Sequence, residues 1–263
     1  MRLVERCQVK NSILSSKRGN VKLWAILFWL LIWQVLSMHI GREILLPSPF
    51  SVFNRLMELV TESNFWASIL FSSVRIMSGF FLATLTGILF ASLAARFKLI
   101  EQLLVPVIMF ANSTPVASII ILLLIWFSSS NLAMVVSFLM VMPIMYTNIL
   151  SGIKSTDLKL LEMAQVFSMS TKRKIFHIYI WQVLPFFKAA ALIGLGISWK
   201  SGIAAEIIGI PRGSIGASLH QARIFIATPD LFAWTVTIIF MSMLFERLFM
   251  LLLTQLAKRL ERM

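Results

Sequence analysis

The sequence LEMAQVFSMSTKRKIFHIYIWQVLP, residues 161–185, lies between two apolar segments that are each long enough to cross a lipid bilayer. Asp157 and Ser170 are typical helix N-caps, so they predict one helix over residues 157–166 and a second from about residue 170, with a short polar turn between them. Lys172, Arg173 and Lys174 give the second helix three positive charges. A basic helix-turn-helix joined at both ends to membrane-length segments predicts a docking surface for another protein.

The composition of the rest of the chain is that of a membrane protein. Hydrophobic residues make up 59% and charged residues 13% of the sequence, whereas soluble domains average about 25% charged residues. Crossing a hydrocarbon core of ~30 Å takes roughly 20 apolar residues, and the alternating segments of a β-barrel are not seen in the sequence. The expected fold class is all-α integral membrane, with six transmembrane helices at residues 23–40, 65–95, 103–127, 132–150, 186–210 and 231–253.

Positive charge predicts the orientation of these helices. Lysine and arginine are concentrated before the first span, between spans two and three, within residues 153–185 and after span six, whereas the other side carries Arg42, Arg55, Arg212 and Arg223. Positively charged loops stay in the cytosol, so both termini and residues 153–185 (the 153–185 loop) are expected to be cytosolic. The predicted organisation is a basic cytosolic tail at 1–22, a six-helix transmembrane domain at 23–257 and a cytosolic tail at 258–263.

The formal net charge of +13 could indicate either nucleic acid or anionic lipid as a partner. The basic residues lie beside the predicted spans, which favours lipid and membrane topology over nucleic acid. The first span is interpreted as a retained anchor, because its apolar run is too long for a signal peptide. Cys7 is the single cysteine, and His39, His177 and His220 are far apart in the predicted topology, so no metal site is expected.

Two segments on the side opposite the 153–185 loop have local structure of their own. Residues 51–63, which follow Pro49, have helical spacing. The side chains expected to face apolar material are Phe53, Leu56, Leu59 and Val60, and those expected to face water are Arg55, Glu58 and Glu62. This helix is expected either to dock a partner or to pack on the rim of the bundle. Residues 211–230 begin with a glycine-containing turn and are expected to fold back over the mouth of the bundle.

Polar residues at bilayer depth usually face a bundle interior or a water-filled cavity. Lys200 and Glu206 are six residues apart, so they are expected on different faces of their helix. Lys200 could receive an anionic solute, and Glu206 is expected to accept a hydrogen bond from the turn at Gly213, although structural pairing is the alternative for both. The full set of candidates for a translocation path is Asn112, Ser113, Thr114, Tyr146, Asn148, Ser198, Lys200 and Glu206.

Several motifs, in order along the chain, resemble those of one transporter family. The 153–185 loop matches the pattern Glu-Ala-Ala-x3-Gly-x9-Ile-x-Leu-Pro at Glu162, Ala164 and Ile178 and departs from it at Met163, Ser168, Ile180 and Trp181. Leu46-Pro47-Ser48-Pro49, Asn112-x-x-Pro115, Leu184-Pro185 and Ala205-Glu206 add to the match. Together they resemble the membrane subunits (permeases) of binding-protein-dependent ABC importers, in particular those for nitrate, sulfonates and taurine.

This resemblance implies a permease in a bacterial-type cell membrane, and not an enzyme. No phosphate-binding loop G-x-x-x-x-G-K-[ST] occurs in the chain, so no cofactor is expected here, and ATP and Mg²⁺ belong to a partner. The implied partners are two ATP-binding subunits, a second permease chain and an external solute-binding protein that docks near Arg55, Arg212 and Arg223. An identical copy is the simplest second permease, with a related permease as the alternative.

The resemblance also implies which residues couple the permease to the ATP-binding subunits. An apolar face at residues 160, 161, 164 and 167 is expected to lie in a groove of the ATPase. Ser168 occupies the glycine position, where serine is penalised at positive φ, and an alternative for Ser168 is to cap the second helix. The coupling residues are expected to be Leu161, Glu162, Ala164, Phe167, Ser168, Ile178 and Pro185.

Two other classes of protein stay open. An integral membrane enzyme acting on lipid should show clustered His, Asp or Glu, whereas this chain has 11 acidic residues, mostly scattered. A secondary carrier that needs no ATPase should have broken helices in corresponding positions of two inverted halves. The sequence shows one interrupted span, beside Pro115, and it does not identify the solute.

Overall fold

The computed structural model describes residues 23–261. The predicted basic tail at 1–22, which includes Cys7, lies outside the described residues, as do positions 262–263. All regular structure within the described range is helical. The elements are α1 (Leu23–Ile40), α2 (Pro49–Thr61), α3 (Ser63–Arg96), α4 (Lys98–Ser113), α5 (Val116–Leu123), α6 (Ser129–Lys154), α7 (Leu158–Val166), α8 (Thr171–Lys174), a π-helical turn (Ile175–Tyr179), α9 (Ile180–Gly209), α10 (Ile215–Ile224) and α11 (Thr228–Glu261).

Five helical segments in the described part of the chain are long and apolar enough to cross a membrane. They are α1, α3, α6, the continuous segment from α8 to α9, and α11. The helices α4 and α5 form a sixth span only if they are counted together, because their axes are bent by 104°. The predicted span over residues 103–127 is therefore made of two helices with a sharp bend between them.

Pro115 explains the break. Proline disfavours helical backbone angles at the residue before it, and Thr114 is extended, with φ −82° and ψ 130°. The hydroxyl groups of Ser113 and Thr114 donate to carbonyl groups of the preceding turn, at 2.8 Å and 2.7 Å. This confirms the predicted interruption of the third span beside Pro115.

The core of the bundle is formed by α6 packed between α3 and α9. A Cβ atom on Gly79 would overlap the carbonyl oxygen of Met134 and lie 2.9 Å from the Cβ of Ser137, so glycine lets the backbones of α3 and α6 touch. The hydroxyl of the same Ser137 donates to the carbonyl of Ser198 in α9, at 3.0 Å, so this residue contacts both neighbouring helices. Small residues and buried hydroxyl groups thus hold the three helices together.

The helices run antiparallel, so the bundle has two ends. The end that carries the 153–185 loop is called the loop end, and the end that carries α2 and α10 is called the far end. At the far end, the Trp33 indole of α1 donates to the Pro47 carbonyl, at 3.0 Å, and the Ser37 hydroxyl donates to the Leu46 carbonyl, at 2.9 Å. The rest of α1 is mostly exposed, so this helix is attached to the bundle chiefly through its far end.

The predicted surface helix is present as α2. Ser48 caps it by accepting from the N–H of Ser51, at 3.0 Å, and Pro49 occupies its first turn. The predicted apolar face is confirmed at Leu59, which is buried, and corrected at Phe53, which is exposed while Val52 beside it is buried. The physical reason is that α2 packs against α11, which turns the helix so that Arg55 also points toward that neighbour.

Candidate functional site

The first half of the 153–185 loop is a capped helix, as predicted. The carboxylate of Asp157 accepts from the N–H of Lys159, at 3.0 Å, and α7 follows. The helix ends in a Schellman motif, in which the N–H of Ser168 bonds to Gln165 and the N–H of Met169 bonds to Ala164, both at 2.9 Å.

Ser168 takes the left-handed conformation that this motif requires, with φ +48°. The alternative in which Ser168 caps the second helix is wrong, because Ser170 occupies that N-cap position. The side chain of Ser170 makes no capping hydrogen bond. Ser168, at the glycine position of the loop pattern, therefore adopts the positive φ that a glycine would adopt there.

The exposed face of α7 differs from the predicted one. Ala164 is fully buried, because α7 lies against its own chain on that side, and residues 160 and 161 are half-buried. The exposed apolar side chains are Leu158, Met163, Val166 and Phe167, of which Val166 is 82% and Phe167 73% accessible. Glu162 is exposed beside them. Of the predicted apolar face, only Phe167 is fully available to another protein.

The second half of the loop is continuous with a membrane span. Thr171 begins α8, which passes through the π-helical turn into α9 without a break. Ile178 is buried in that turn, and Pro185 lies inside α9. The prediction that the span begins at residue 186 is corrected, because a membrane helix tolerates a proline when neighbouring groups satisfy the freed carbonyl. The 153–185 loop is therefore joined to the interior of the bundle by one helical rod.

At the far end, a buried carboxylate connects three helices. Glu206 of α9 is fully buried, and its Oε2 accepts from the Ser72 hydroxyl of α3, at 2.7 Å, and from the N–H of Gly216 in α10, at 3.1 Å. Ser72 in turn accepts from the N–H of Ile215, at 3.0 Å. The first N–H groups of a helix have no acceptor within that helix. Here Glu206 and Ser72 supply acceptors for two of these N–H groups at the start of α10.

The predicted partner of Glu206 is thereby corrected from the turn at Gly213 to Gly216, the second residue of α10. Gly216 makes this close approach possible, because a Cβ there would overlap the Cβ of Glu206 and lie 2.6 Å from its carbonyl carbon. Sequence reasoning missed the role of Ser72. It has no local signal, since it is one of many serines in apolar helices and lies 134 residues from Glu206.

A second polar cluster lies where α2 meets α11. The guanidinium of Arg55 pairs with Asp230 and with Glu58, the latter at 2.7 Å, and Glu62 is 4.0 Å away. The hydrogen bonds that Arg55 donates to Asp230 and to Glu58 raise the pKa of Arg55 above its usual value. Arg55, which was expected to face water, is thus held in ion pairs, and its role in docking stays a prediction. The other two predicted docking residues, Arg212 and Arg223, are exposed at the far end.

The candidates for a translocation path divide by burial. Asn112, Ser113 and Lys200 are exposed on the surface of the isolated chain, and Thr114 and Asn148 are half-buried. The amide of Asn148 donates to the carbonyl of Ile144 within its own helix, at 2.8 Å. Tyr146, Ser198 and Glu206 are buried in the bundle. Packing against neighbouring helices covers those three side chains in the single chain, and their assignment to a translocation path stays a prediction.

Lys200 is exposed on α9, nine residues before its end at Gly209. At about 1.5 Å per residue, this places it roughly 14 Å below the far end of the helix. An ammonium group at that depth does not face lipid without a large cost. That Lys200 faces a water-filled space or another protein chain stays a prediction.

No group of three or more His, Cys, Asp or Glu side chains within residues 23–261 could hold a metal ion. Arg75 has contacts within the bundle: its guanidinium donates to the Ser130 carbonyl and lies 3.4 Å over the ring of Phe71.

Comparison with known proteins places this geometry in a family. The putative aliphatic sulfonates transport permease protein SsuC of Bacillus subtilis is 26% identical over 205 residues, which cover 77% of this chain and 74% of that protein. The taurine transport system permease protein TauC of Escherichia coli is 26% identical over 220 residues, covering 81% and 80%. The nitrate import permease protein NrtB of Synechococcus elongatus is 29% identical over 205 residues, covering 74% and 73%.

The family model for the inner membrane component of binding-protein-dependent transport systems matches residues 83–262. That range includes the broken α4–α5 pair, the 153–185 loop and the contact between Glu206 and Gly216. The relatives are permeases, which favours a transport subunit over the membrane enzyme or the secondary carrier that the sequence left open. The chain therefore belongs to the family of binding-protein-dependent transport system inner membrane components, as a bacterial ABC importer permease.

Proposed function

We propose that the chain forms one half of the membrane passage of an ATP-driven importer. Both termini and the loop end face the cytosol, and the far end faces outward. The observation that carries the proposal is a group of exposed apolar side chains on α7 and at its C-cap, on a loop joined directly to a membrane span; they are Leu158, Met163, Val166 and Phe167. Exposed apolar groups of this size, gathered on one helix, are typical of a protein interface.

The partner at this face is an ATP-binding subunit, which supplies ATP and Mg²⁺. A homodimer of the permease presents two such faces and so takes two ATPase subunits. The α7 helix enters a groove of its ATPase, and Glu162 at the edge of the apolar face accepts hydrogen bonds from the partner. Movement of the ATPase is transmitted through the continuous rod from α8 to α9. Coupling thus uses the exposed residues of α7, while Ala164 and Ile178 hold the loop to the bundle.

Lys200 supports the pairing of two permease chains. In the isolated chain it lies on an outer surface at bilayer depth, and a second copy would enclose it in a water-filled path with the exposed Asn112 and Ser113. The relatives are named for aliphatic sulfonates, taurine and nitrate. A lysine in the path suits the anionic group that these solutes share, so we assign a small anionic or zwitterionic solute to this importer.

An external binding protein delivers that solute at the far end. Arg212 and Arg223 are exposed there on the turn and helix that follow α9, and they provide positive charge for an acidic docking surface. Arg55 does not contribute, because its charge is neutralised by Asp230 and Glu58.

Substitution of Glu162 tests the coupling proposal. We expect Glu162→Lys to leave the protein inserted at normal abundance but to abolish uptake, while ATP hydrolysis continues without transport. Glu43→Lys is the matched control, since it makes the same change of charge at an exposed residue of the far end. Uptake at the wild-type rate by Glu162→Lys, or uptake in vesicles without an ATPase subunit, contradicts the proposal.

A further inference from the structure

An apolar groove of about 320 Å³ opens on the surface of the bundle near the loop end. It lies between α3, α6 and the start of the rod that continues into α9. Eight of its ten lining residues are apolar, and the other two are Ser92 and Tyr179. Ile88, Ile149 and Phe187 form its part furthest from the loop end. Nothing in the described part of the chain fills this space.

Each element that lines the groove carries a basic residue just beyond it, toward the loop end. Arg96 follows Ser92 by one helical turn, Lys154 directly follows Ile153, and Lys174 directly precedes Ile175. Lys154 pairs with Glu101. Among the described side chains, those of residues 23–259, no carboxylate pairs with Arg96 or Lys174. The apolar groove therefore has a mouth with unneutralised positive charge.

The depth of the groove fits one kind of occupant. Ile88 is eight residues before Arg96, or about 12 Å along the helix at 1.5 Å per residue. Starting from the charged mouth, the groove thus runs into the part of the bundle that crosses the membrane. Tyr179 lines it within the π-helical turn, and tyrosine is enriched where the hydrocarbon core meets water. A molecule with an apolar chain and an anionic head would satisfy both regions together.

We propose that this groove binds one acyl chain of an anionic phospholipid, whose phosphate group lies among Arg96, Lys174 and their neighbours. Basic pockets between transmembrane helices on the cytoplasmic side are suited to anionic headgroups. The assignment to the cytoplasmic leaflet rests on the topology in the proposed function. A helix from a second copy would fill the apolar part but would leave the two cations without a counter-charge.

The position of the groove connects lipid binding with transport. Its wall includes Ile175 and Tyr179, the two ends of the π-helical turn through which the 153–185 loop joins α9. Turns of this kind interrupt the regular α-helical register and are frequent at functional sites. An acyl chain in the groove packs this turn against α3 and α6. The bound lipid thereby stiffens the rod that transmits movement from α7.

Lipid retention by the purified full-length chain tests the proposal. The protein is exchanged into detergent with equal amounts of phosphatidylglycerol and phosphatidylcholine that carry the same acyl chains, and bound lipid is measured by native mass spectrometry. We expect one tightly held phosphatidylglycerol per chain, favoured about tenfold over phosphatidylcholine, since each nearby cation contributes to anionic binding.

Three variants separate the two parts of the site. Arg96→Gln with Lys174→Gln should abolish the preference for phosphatidylglycerol, and Ser92→Phe should fill the groove and reduce retention of both lipids. Ile88→Phe fills the same groove from its other end and replaces Ser92→Phe if that variant fails to fold. Lys258→Gln with Arg259→Gln is the matched control, because it removes two charges from the loop end of α11 and should leave retention unchanged.

The proposal is overturned if the wild-type chain holds the two lipids equally, or if the groove-filling variants retain lipid as the wild type does. A second copy as occupant is tested with Ser92→Cys in a Cys7→Ser background, where a disulfide between two chains would overturn the proposal. Retention is read without transport, so Glu162→Lys should keep its lipid. Failure of the lipid site and failure of the coupling proposal are therefore distinguishable.

Discussion

The contact between Gly216 and α9 predicts that Gly216→Ala destabilises the far end of the bundle. A Cβ at this position would overlap the Cβ of Glu206 and lie 2.6 Å from the carbonyl carbon of Glu206 and 2.7 Å from the nitrogen of Ile207. Two of the three neighbouring atoms belong to the backbone of α9, so no side-chain rotation relieves the clash. The helix α10 must move away from α9 instead.

The size of the effect follows from these distances. Carbon atoms pack at about 3.5–4.0 Å, so α10 must shift by about 1 Å. The hydrogen bond from Gly216 to Glu206, now 3.1 Å, would lengthen to about 4 Å and be lost. Overpacking costs about 1–3 kcal/mol and the loss of a hydrogen bond to a charged group about 1.5–3 kcal/mol. The expected total is about 3–5 kcal/mol, or a decrease in Tm on the order of 10 °C.

Thermal unfolding of the purified chain in detergent measures this decrease. Gly196→Ala is the matched control. Gly196 lies in α9, the helix against which Gly216 packs, and a Cβ at Gly196 meets nothing within 4 Å. It should leave Tm unchanged or raise it slightly, since alanine favours helix over glycine. If Gly216→Ala unfolds at the temperature of the wild type, the close packing of α10 on Glu206 is not a feature of the folded protein.

Three further experiments test other parts of the structure. Ser168→Gly should stabilise the 153–185 loop by roughly 1 kcal/mol, because glycine adopts positive φ without the steric cost that serine carries; slower amide exchange in α7 would show it, and unchanged or faster exchange would contradict it. A double-mutant cycle with Arg55→Met and Asp230→Asn should give a coupling free energy of about 0.5–1 kcal/mol by thermal unfolding, because the two side chains are 32% and 25% exposed and are screened by water; a value near zero would remove the ion pair as a link between α2 and α11. Lys200→Met should reduce uptake of an anionic solute by about tenfold or more, and unchanged uptake and solute preference would exclude Lys200 from the path.

The pattern of apolar residues was enough to predict the main helices. Membrane spans depend on a local property, the length of an apolar run, and the predicted first, second, fourth, fifth and sixth spans are all present. The cap at Asp157, the helix after Pro49 and the break beside Pro115 were also predictable, because capping and proline geometry involve neighbours within a few residues. The motifs of the 153–185 loop indicated the transporter family before any contact was known.

The contacts that define the site depend on residues far apart in the chain. Ser72 and Glu206 are separated by 134 residues and Arg55 and Asp230 by 175, and no local pattern links such pairs. The helical spacing of α7 permitted several apolar faces, and packing through Ala164 selected the one that stays exposed. Sequence therefore sets where helices form, since hydrophobicity and capping act locally. Packing between helices sets which polar groups are paired and which faces remain free, since each choice depends on neighbours brought together by folding.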